Sequence, residues 1–304
     1  MAPTIATLGA RPVGVTGHGG VRPAGGRRVG PYELRDEIGR GAASRVFAAR
    51  HLRSAESVAF KEFRSRPGSP PERRRFRTEA RILGSIDHPH VVTARDVIED
   101  DNIWALVMEL ISRGSLRQHI RSGLGLAQTG RVLEDLLSGL GQLESQHVVH
   151  LDIKPDNLLV TSSGRIKITD FGVAQEVGPG RERQAELIGG TPQYLAPEQA
   201  AGAPLGAWTD LYAVGILAFE LLVGRPPFAD THDLVDIMDR HLHDRIPRVC
   251  DVLPGMSTAM ADWIDRLVSK TPSDRPQSAE DAWDELDKLL TECLGSSWRL
   301  AAGL

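Results

Sequence analysis

Strand-type and helix-type patterns occupy different parts of this sequence, and their separation is what most constrains the fold. Short segments rich in β-branched and aromatic residues, bounded by glycine or polar turns, predict strands at 32–38, 46–49, 58–63, 91–98 and 103–109. A helix predicted over 70–84, with Phe76 on its apolar face, interrupts them. After Gly114 helical spacing continues to about residue 290. The chain is therefore β-rich first and mainly helical afterwards.

This order of elements predicts an α+β fold with two lobes, a small β-rich N-lobe with one helix and a larger, mainly α-helical C-lobe. We assign the N-lobe to residues 30–110 and the C-lobe to 111–291. Residues 1–29 are rich in Gly, Pro, Ala and Arg and have no apolar period, so they are predicted to form a disordered arm. Residues 292–304 are predicted to form a short C-terminal tail.

Composition excludes several classes of function. The 304 residues carry a formal net charge of -4, whereas nucleic-acid-binding domains are usually strongly basic. The two cysteines, Cys250 and Cys293, form no disulfide framework, which favours a reducing cytoplasm. The N-terminus shows no signal peptide, and the longest apolar stretch, 211–223, is short for a membrane span and contains Glu220. We therefore expect a cytoplasmic protein with no nucleic-acid partner and no membrane span.

The run His150 to Asn157, HLDIKPDN, concentrates residues that can carry chemistry. Asp152 can orient a hydroxyl group and accept its proton, Lys154 can neutralise a phosphate, and Asn157 offers an amide oxygen to a metal ion. After a small predicted hairpin, Asp170 opens an Asp-Phe-Gly run and adds a carboxylate. Because Mg²⁺ prefers such hard oxygen ligands, this set predicts phosphoryl transfer from a magnesium-bound nucleotide.

The N-lobe holds the residues expected to bind the nucleotide. A Gly-rich run over 38–46, IGRGAASRV, lies between two predicted strands, where small residues would let backbone N–H groups approach phosphates. Lys61 lies on the next strand, and Glu79 on the following helix is the residue expected to be its partner. Taken alone, the Gly-rich run is also typical of a plain hairpin turn, and Lys61 of a surface strand. The loop around Asp152 favours the nucleotide-binding interpretation.

From about Tyr32 to Leu290 the chain resembles a eukaryotic-type (Hanks-type) serine/threonine protein kinase of the bacterial branch. The resemblance rests on the motifs above together with 190–199, GTPQYLAPEQ, and 224–228, GRPPF. It implies an enzyme that uses ATP and Mg²⁺ to phosphorylate Ser or Thr of protein substrates. The activation segment, as we use the term, runs from Asp170 to Glu198.

The resemblance also implies roles for individual residues. The catalytic positions are Asp152, Lys154, Lys61, Glu79 and Thr191, and the metal ligands are Asn157 and Asp170. The nucleotide-binding positions are Ile38, Gly39, Gly41, Ser44, Val46, Ala59, Lys61, Met108, Glu109, Ile111 and Leu159, with Ser44 replacing the third glycine of the family pattern. Among them Met108 is the gatekeeper, and 109–111 form the hinge. Asp210 is expected to hold the catalytic loop, by which we mean residues 150–157, and Arg275 to pair with Glu198.

Specific residues argue against two alternative functions. A pseudokinase, with the same fold used as a binding module, has no need to keep Lys61, Asp152, Asn157 and Asp170, all of which are present. Small-molecule phosphotransferases of related fold lack the Ala-Pro-Glu run at 196–198. They also lack the platform at Thr191, which in protein kinases supports a peptide substrate. Lys154 favours Ser/Thr over Tyr specificity.

The activation segment predicts an enzyme that does not depend on phosphorylation there. Many protein kinases have arginine before the catalytic aspartate, where its charge is organised by an activation-segment phosphate. Here that residue is Leu151, and no Ser, Thr or Tyr occurs from 172 to 190. The first hydroxyl belongs to Thr191, for which the resemblance implies a structural bridge to Asp152 and Lys154. Glu182 or Glu186 could supply a fixed negative charge instead.

Overall fold

The computed structural model describes residues 26–41, 43–63, 70–100, 103–120, 123–177 and 192–304. Residues 1–25, most of the predicted disordered arm, lie outside this description, as do Thr191, Glu182 and Glu186. Within the described residues the chain has the predicted α+β architecture, with a β-sheet and one helix in the N-lobe and a mainly helical C-lobe.

The N-lobe is built on an antiparallel sheet, which in the described residues has six strands in the order β1-β2-β3-β4-β6-β5. The strands are β1 (Arg28–Val29), β2 (Tyr32–Arg40), β3 (Ser44–His51), β4 (Ser57–Phe63), β5 (Ala94–Glu99) and β6 (Trp104–Glu109). The last residues of the predicted disordered arm therefore belong to the sheet, because Val29 is buried and β1 pairs with β2. This strand is too short to give an alternating pattern in the sequence.

Alternation along β4 decides which side chains face the rest of the protein. Val58 and Phe60 pack into a small cluster on one face of the sheet, whereas Ala59 belongs to the main hydrophobic core on the other. Successive side chains of a strand point to opposite faces, so Lys61 shares the face of Ala59. The sheet thus directs the Lys61 ammonium towards the interior between the lobes.

Helix α1 (Pro70–Ser85) covers that same face of the sheet. Its Phe76 is fully buried and lies 5.0 Å from the ring of Phe63 and 6.0 Å from that of Trp104, measured between centroids. Aromatic pairs at such separations add to the free energy gained by burial. This packing sets the position of Glu79, one turn further along the helix.

The C-lobe surrounds one buried helix. Its helices are α2 (Leu126–Ser145), α3 (Pro197–Ala201), α4 (Ala207–Val223), α5 (Leu234–His243), α6 (Val249–Val252), α7 (Thr258–Leu267) and α8 (Ala279–Leu294). Short strands are β7 (Val148–Val149), β8 (Leu158–Val160), β9 (Ile166–Ile168) and β10 (Gln175–Glu176). Every residue of α4 from Thr209 to Leu222 is buried, as expected for the core helix predicted at 211–223. No helix in the described ranges is long and apolar enough to cross a bilayer.

The segment after α8 packs onto the C-lobe. Trp298 is 2% exposed and contributes to the main core. Arg299 donates hydrogen bonds to Glu134 on α2 (3.0 Å) and Asp287 on α8 (2.7 Å). Arg113 Nη1 donates to the backbone oxygen of Leu304 at 3.1 Å. Residues predicted as a tail are therefore part of the packed lobe.

We expect Trp298→Ala to lower the free energy of unfolding by about 3–5 kcal/mol, because it removes a buried aromatic side chain and leaves a cavity. Leu300→Ala is the matched control, since Leu300 lies in the same turn but is 90% exposed. Urea denaturation of the two variants measures the difference. Equal stability of both variants would contradict the packed position of this segment.

Candidate active site

The Gly-rich run forms the turn between β2 and β3. Gly39 pairs with Val46 across the two strands, and the Gly41 N–H donates to the Ser44 carbonyl at 2.9 Å. A Cβ atom added at Gly41 would lie 3.3 Å from Ser44 Oγ, so this tight turn has little room for a side chain. Ile38 is 52% exposed on β2, as suits a residue that contacts a ligand.

Lys61 connects the two lobes through ion pairs. Its Nζ lies 2.6 Å from Glu79 Oε1 on α1 and 2.8 Å from Asp170 Oδ1 in the C-lobe. Burial opposes the charge on Lys61, but the carboxylates outweigh it and raise the pKa of the lysine. The Lys61 charge in turn lowers the pKa of Asp170. Burial raises the pKa of Glu79 against the effect of Lys61, and we assign the pair as ionised because Lys61 is held protonated.

The predicted adenine-contacting residues lie on adjacent strands and below them. Ala59 on β4 pairs directly with Met108 on β6, and Val46 on β3 packs against the same core. Leu159 on β8 reaches that core from the C-lobe. Glu109 uses its side chain within the protein, where it accepts a hydrogen bond from Lys167 Nζ at 2.5 Å. Recognition of a base at this position would therefore fall to backbone groups, including those of Ile111, which is half-buried.

The catalytic loop follows β7 and converges on Asp152. Lys154 Nζ donates to both carboxylate oxygens of Asp152, at 2.9 and 2.7 Å. Asn157 Nδ2 donates to the Asp152 backbone oxygen and to Oδ2, both at 2.8 Å. These bonds fix the orientation of the carboxylate, whose side chain is 16% exposed.

Asp210, near the start of α4, holds the backbone of this loop. Its two carboxylate oxygens accept hydrogen bonds from the N–H groups of His150 (2.7 Å) and Leu151 (2.8 Å). Leu151 has a φ of +66°, a conformation that costs a non-glycine residue free energy and that the surrounding contacts must hold. Asp170 has the same φ of +66°. Strained backbone thus occurs at both ends of the site.

The oxygen atoms that this site offers as ligands fit a magnesium ion. Asn157 uses its amide nitrogen for the hydrogen bonds to Asp152, which leaves the amide oxygen available to a metal ion. Lys61 contacts Oδ1 of Asp170, whose side chain is 49% exposed. An amide oxygen and a carboxylate are hard ligands of the kind that Mg²⁺ takes in addition to water and phosphate.

Leu151 has a role that its sequence position did not reveal. Its side chain is 8% exposed and packs with Val149 and Leu205. Val173 and Val177, from the start of the activation segment, pack against the same cluster. Apolar contacts of Leu151 therefore join the catalytic loop to the activation segment. Arginine, which many protein kinases have at this position, would need a negative charge as its partner instead.

The far end of the activation segment is anchored by a buried ion pair. Arg275 donates to both oxygens of Glu198, at 2.7 and 2.9 Å, and the two side chains are 0% and 3% exposed. Arg275 also donates to the backbone oxygens of Trp208 and Ser269, both at 2.8 Å. The pair that the resemblance implied is thus present.

Comparison with known families decides the classification of this site. The model of the protein kinase domain matches residues 32–286, which include the Gly-rich turn, Lys61, the catalytic loop and Asp170. The chain belongs to the protein kinase domain family.

Several curated bacterial proteins resemble this kinase domain. It is 33% identical to "Probable serine/threonine-protein kinase pknA2" of Bifidobacterium longum, over 89% of this chain and 36% of the relative. It is 34% identical to serine/threonine-protein kinase PrkC of Bacillus subtilis, over 84% of this chain and 40% of the relative. Serine/threonine-protein kinase PkaA of Streptomyces coelicolor is 34% identical over 85% of this chain and 49% of its own length. The chain therefore spans less than half the length of these relatives.

The kinase domain contains a partly buried charge cluster that sequence reasoning missed. Arg117 donates to Glu220 on α4 and, at 2.7 Å, to the Tyr194 hydroxyl, which itself donates to Glu220. Arg117 also reaches Asp156 of the catalytic loop at 3.1 Å. Glu220 gave one signal, since a carboxylate in an apolar helix needs a partner. That partner lies 103 residues away along the chain, and no local pattern indicates it.

We expect Arg275→Ala to lower the free energy of unfolding of this kinase domain by roughly 3 kcal/mol or more, because it leaves the Glu198 carboxylate buried without its cation. The control is Arg266→Ala, which breaks an ion pair with Glu285 whose side chains are 51% and 36% exposed. Such surface pairs contribute about 0–1 kcal/mol. Thermal and urea unfolding compare the variants, and an unchanged Arg275→Ala protein would refute the buried pair.

Proposed function

We propose that this chain is a serine/threonine protein kinase that transfers the γ-phosphoryl group of ATP to proteins, with residues 30–291 as its catalytic domain. One observation carries the proposal: Lys61 bridges Glu79 and Asp170 while Lys154 and Asn157 orient Asp152. Kinase activity requires both halves of this arrangement at once, since one positions the phosphates and the other the acceptor hydroxyl. The serine/threonine kinases among the relatives support the choice of substrate.

In the proposed reaction the acceptor hydroxyl oxygen forms a bond to the γ-phosphorus, and the bond to the bridging oxygen of ADP breaks. Asp152 accepts the proton of that hydroxyl, and ADP leaves with the electron pair of the broken bond. Lys154, 2.7 Å from Asp152, is placed to neutralise charge on the transferred group. Lys154 also donates hydrogen bonds to both carboxylate oxygens of Asp152 and so holds the proton acceptor in place.

Lys61 is proposed to contact the α- and β-phosphates of ATP, with Glu79 holding its ammonium in place. The Gly-rich turn would cover the phosphates, and Val46, Ala59 and Leu159 would enclose the adenine ring. A magnesium ion held by Asp170 and Asn157 would neutralise the phosphate oxygens. Thr191, which lies outside the described residues, remains the proposed bridge between Asp152 and Lys154.

The observed contacts argue against the alternative of a binding module without catalysis. A pseudokinase has no need for a fixed Asp152 carboxylate, yet two side chains orient it here. A small-molecule phosphotransferase is likewise disfavoured, because the segment around Glu198 is anchored as a platform beside the catalytic loop. Gln199 Nε2 donates to the Leu151 backbone oxygen at 3.1 Å and links this platform to the loop.

We further propose that activity does not depend on activation-segment phosphorylation. The apolar cluster around Leu151 supports this, because it joins the catalytic loop to Val173 and Val177 without any charge. An ion pair between Arg81 on α1 and Glu176 adds a second connection to the same segment. Together they supply contacts that a phosphate would otherwise organise.

Lys61→Ala and Asp152→Ala should each abolish transfer of radiolabelled phosphate from ATP to dephosphorylated casein, while circular dichroism stays unchanged. The first change removes the cation at the phosphates and the second removes the group that orients the attacking oxygen. Lys288→Ala and Asp251→Ala, at exposed positions remote from the site, are the matched controls. Full transfer by Asp152→Ala would refute the proposed function.

Protein purified after phosphatase treatment should be as active as untreated protein. Any autophosphorylation should map by mass spectrometry to the N-terminal arm or to hydroxyls such as those of Ser65 and Ser69. The opposite result, loss of activity on dephosphorylation and its recovery with phosphate on Thr191, would identify Thr191 as a switch.

A further inference from the structure

His241 is a buried titratable residue for which the proposed mechanism has no use. It lies near the end of α5 with a side chain that is 0% exposed. Burial and the nearby Lys270 lower the pKa of the imidazole to about 4, so the ring is neutral at physiological pH. A neutral imidazole has one donor and one acceptor nitrogen, and each needs a partner when buried.

Tyr212 on α4 satisfies one of these nitrogens. Its hydroxyl lies 2.8 Å from His241 Nδ1, and the rings meet edge to face. Burial raises the pKa of the Tyr212 phenol, which therefore keeps its proton and needs an acceptor. Lys270 Nζ, 3.4 Å away, can only donate to the phenol oxygen, so the phenol proton goes to Nδ1. This assignment places the imidazole proton on Nε2.

The Nε2 atom faces the substrate platform, by which we mean residues 192–198. It is buried and has no hydrogen bond of ordinary geometry to any described residue, and the backbone of Gln193 is the polar group facing it. The side-chain Oε1 of Gln193 is likewise buried without a partner in the described part of the chain. At this end of the platform a buried donor thus lies beside the Gln193 backbone, and the side chain of the same residue carries a buried acceptor.

The other end of the platform depends on the same tyrosine. Glu198 is paired with Arg275, whose guanidinium carbon lies 4.9 Å above the centroid of the Tyr212 ring. Tyr212 therefore contacts Arg275 through its ring and His241 through its hydroxyl. The two ends of a six-residue stretch, Gln193 and Glu198, are connected to one side chain of the buried helix α4.

We propose that His241 is a positioning residue for the protein substrate: held by Tyr212, it offers its Nε2–H as the donor for the buried acceptor groups of Gln193 and so fixes this end of the platform. The inference rests on the proposed kinase function and assigns no role to His241 in binding ATP. A platform released at Gln193 presents several conformations, of which a fraction binds the peptide, and the apparent affinity falls by that fraction. Binding of protein substrate should weaken while the site around Lys61 stays intact.

Two amide substitutions separate this role from simple packing. His241→Gln places its amide nitrogen near the position of Nε2 and keeps a donor for Gln193. His241→Asn places its amide near Nδ1, keeps the bond to Tyr212 and does not reach Gln193. We expect His241→Asn to raise the KM for dephosphorylated casein roughly tenfold, as for loss of a buried hydrogen bond, and His241→Gln to raise it less. The KM for ATP should remain that of the unmodified protein in both.

Tyr212→Phe provides a second route that removes one oxygen atom and little volume. It should raise the KM for casein as well, and the effects of Tyr212→Phe and His241→Asn should be less than additive, because both act through one connection. His232→Asn, at an exposed histidine in the loop before α5, is the control with no expected change. Melting temperatures identify any variant that fails to fold, in which case Tyr212→Phe decides.

A casein KM unchanged in folded, active His241→Asn and Tyr212→Phe would overturn the inference and leave the kinase function standing. A larger effect of His241→Gln than of His241→Asn would show that the contact with Tyr212 alone matters, which also overturns it. Absence of any phosphate transfer by the unmodified protein would instead remove the proposed function, and this inference with it.

Discussion

The buried carboxylate of Asp210 is the interaction on which the rest of the active site depends. It accepts hydrogen bonds from the backbone N–H groups of His150 and Leu151. These bonds hold the loop that carries Asp152 in place, although the positive φ is unfavourable for Leu151. Asp210 can do this because α4 is buried along nearly its whole length and cannot shift without disturbing the core. The same helix places Tyr212 under the substrate platform and Glu220 beside Arg117. Polar side chains on one rigid helix thus position three different parts of the C-lobe.

The ion pairs of Lys61 supply the corresponding constraint between lobes. Lys61 lies on a central strand and Glu79 on a helix held by the aromatic packing of Phe76, so neither can move freely. Removing one partner of a buried ion pair lowers the free energy of unfolding by far more than a surface ion pair contributes to it. The position of α1 is therefore coupled to that of Asp170, and the geometry of this proposed metal ligand depends on packing in the N-lobe.

How much of this could be predicted from the sequence depends on the range of each contact. The strands of the sheet, α1 and the loop around Asp152 follow from local patterns, and the resemblance implied the pairs of Lys61 with Glu79 and of Arg275 with Glu198. Strand β1 was missed because two residues carry no pattern. The partner of Glu220 and the neighbours of Leu151 were missed because they come from distant segments, and apolar residues such as Leu205 fit many environments. Leu151 was interpreted only through the charge it lacks, whereas the structure shows which apolar contacts replace that charge.

The two connections of the activation segment differ in strength, and magnitudes decide which one dominates. The pair of Arg81 with Glu176 joins side chains that are 57% and 24% exposed, and such pairs contribute about 0–1 kcal/mol and weaken with salt. Full burial of a leucine side chain contributes about 1.5–3 kcal/mol, and Leu151 is 8% exposed in a cluster that includes Val149 and Leu205. The apolar cluster is therefore the stronger contact. Since it contains no titratable group, the link between the catalytic loop and the start of the activation segment should be insensitive to ionic strength, unlike a link made through phosphate and arginine.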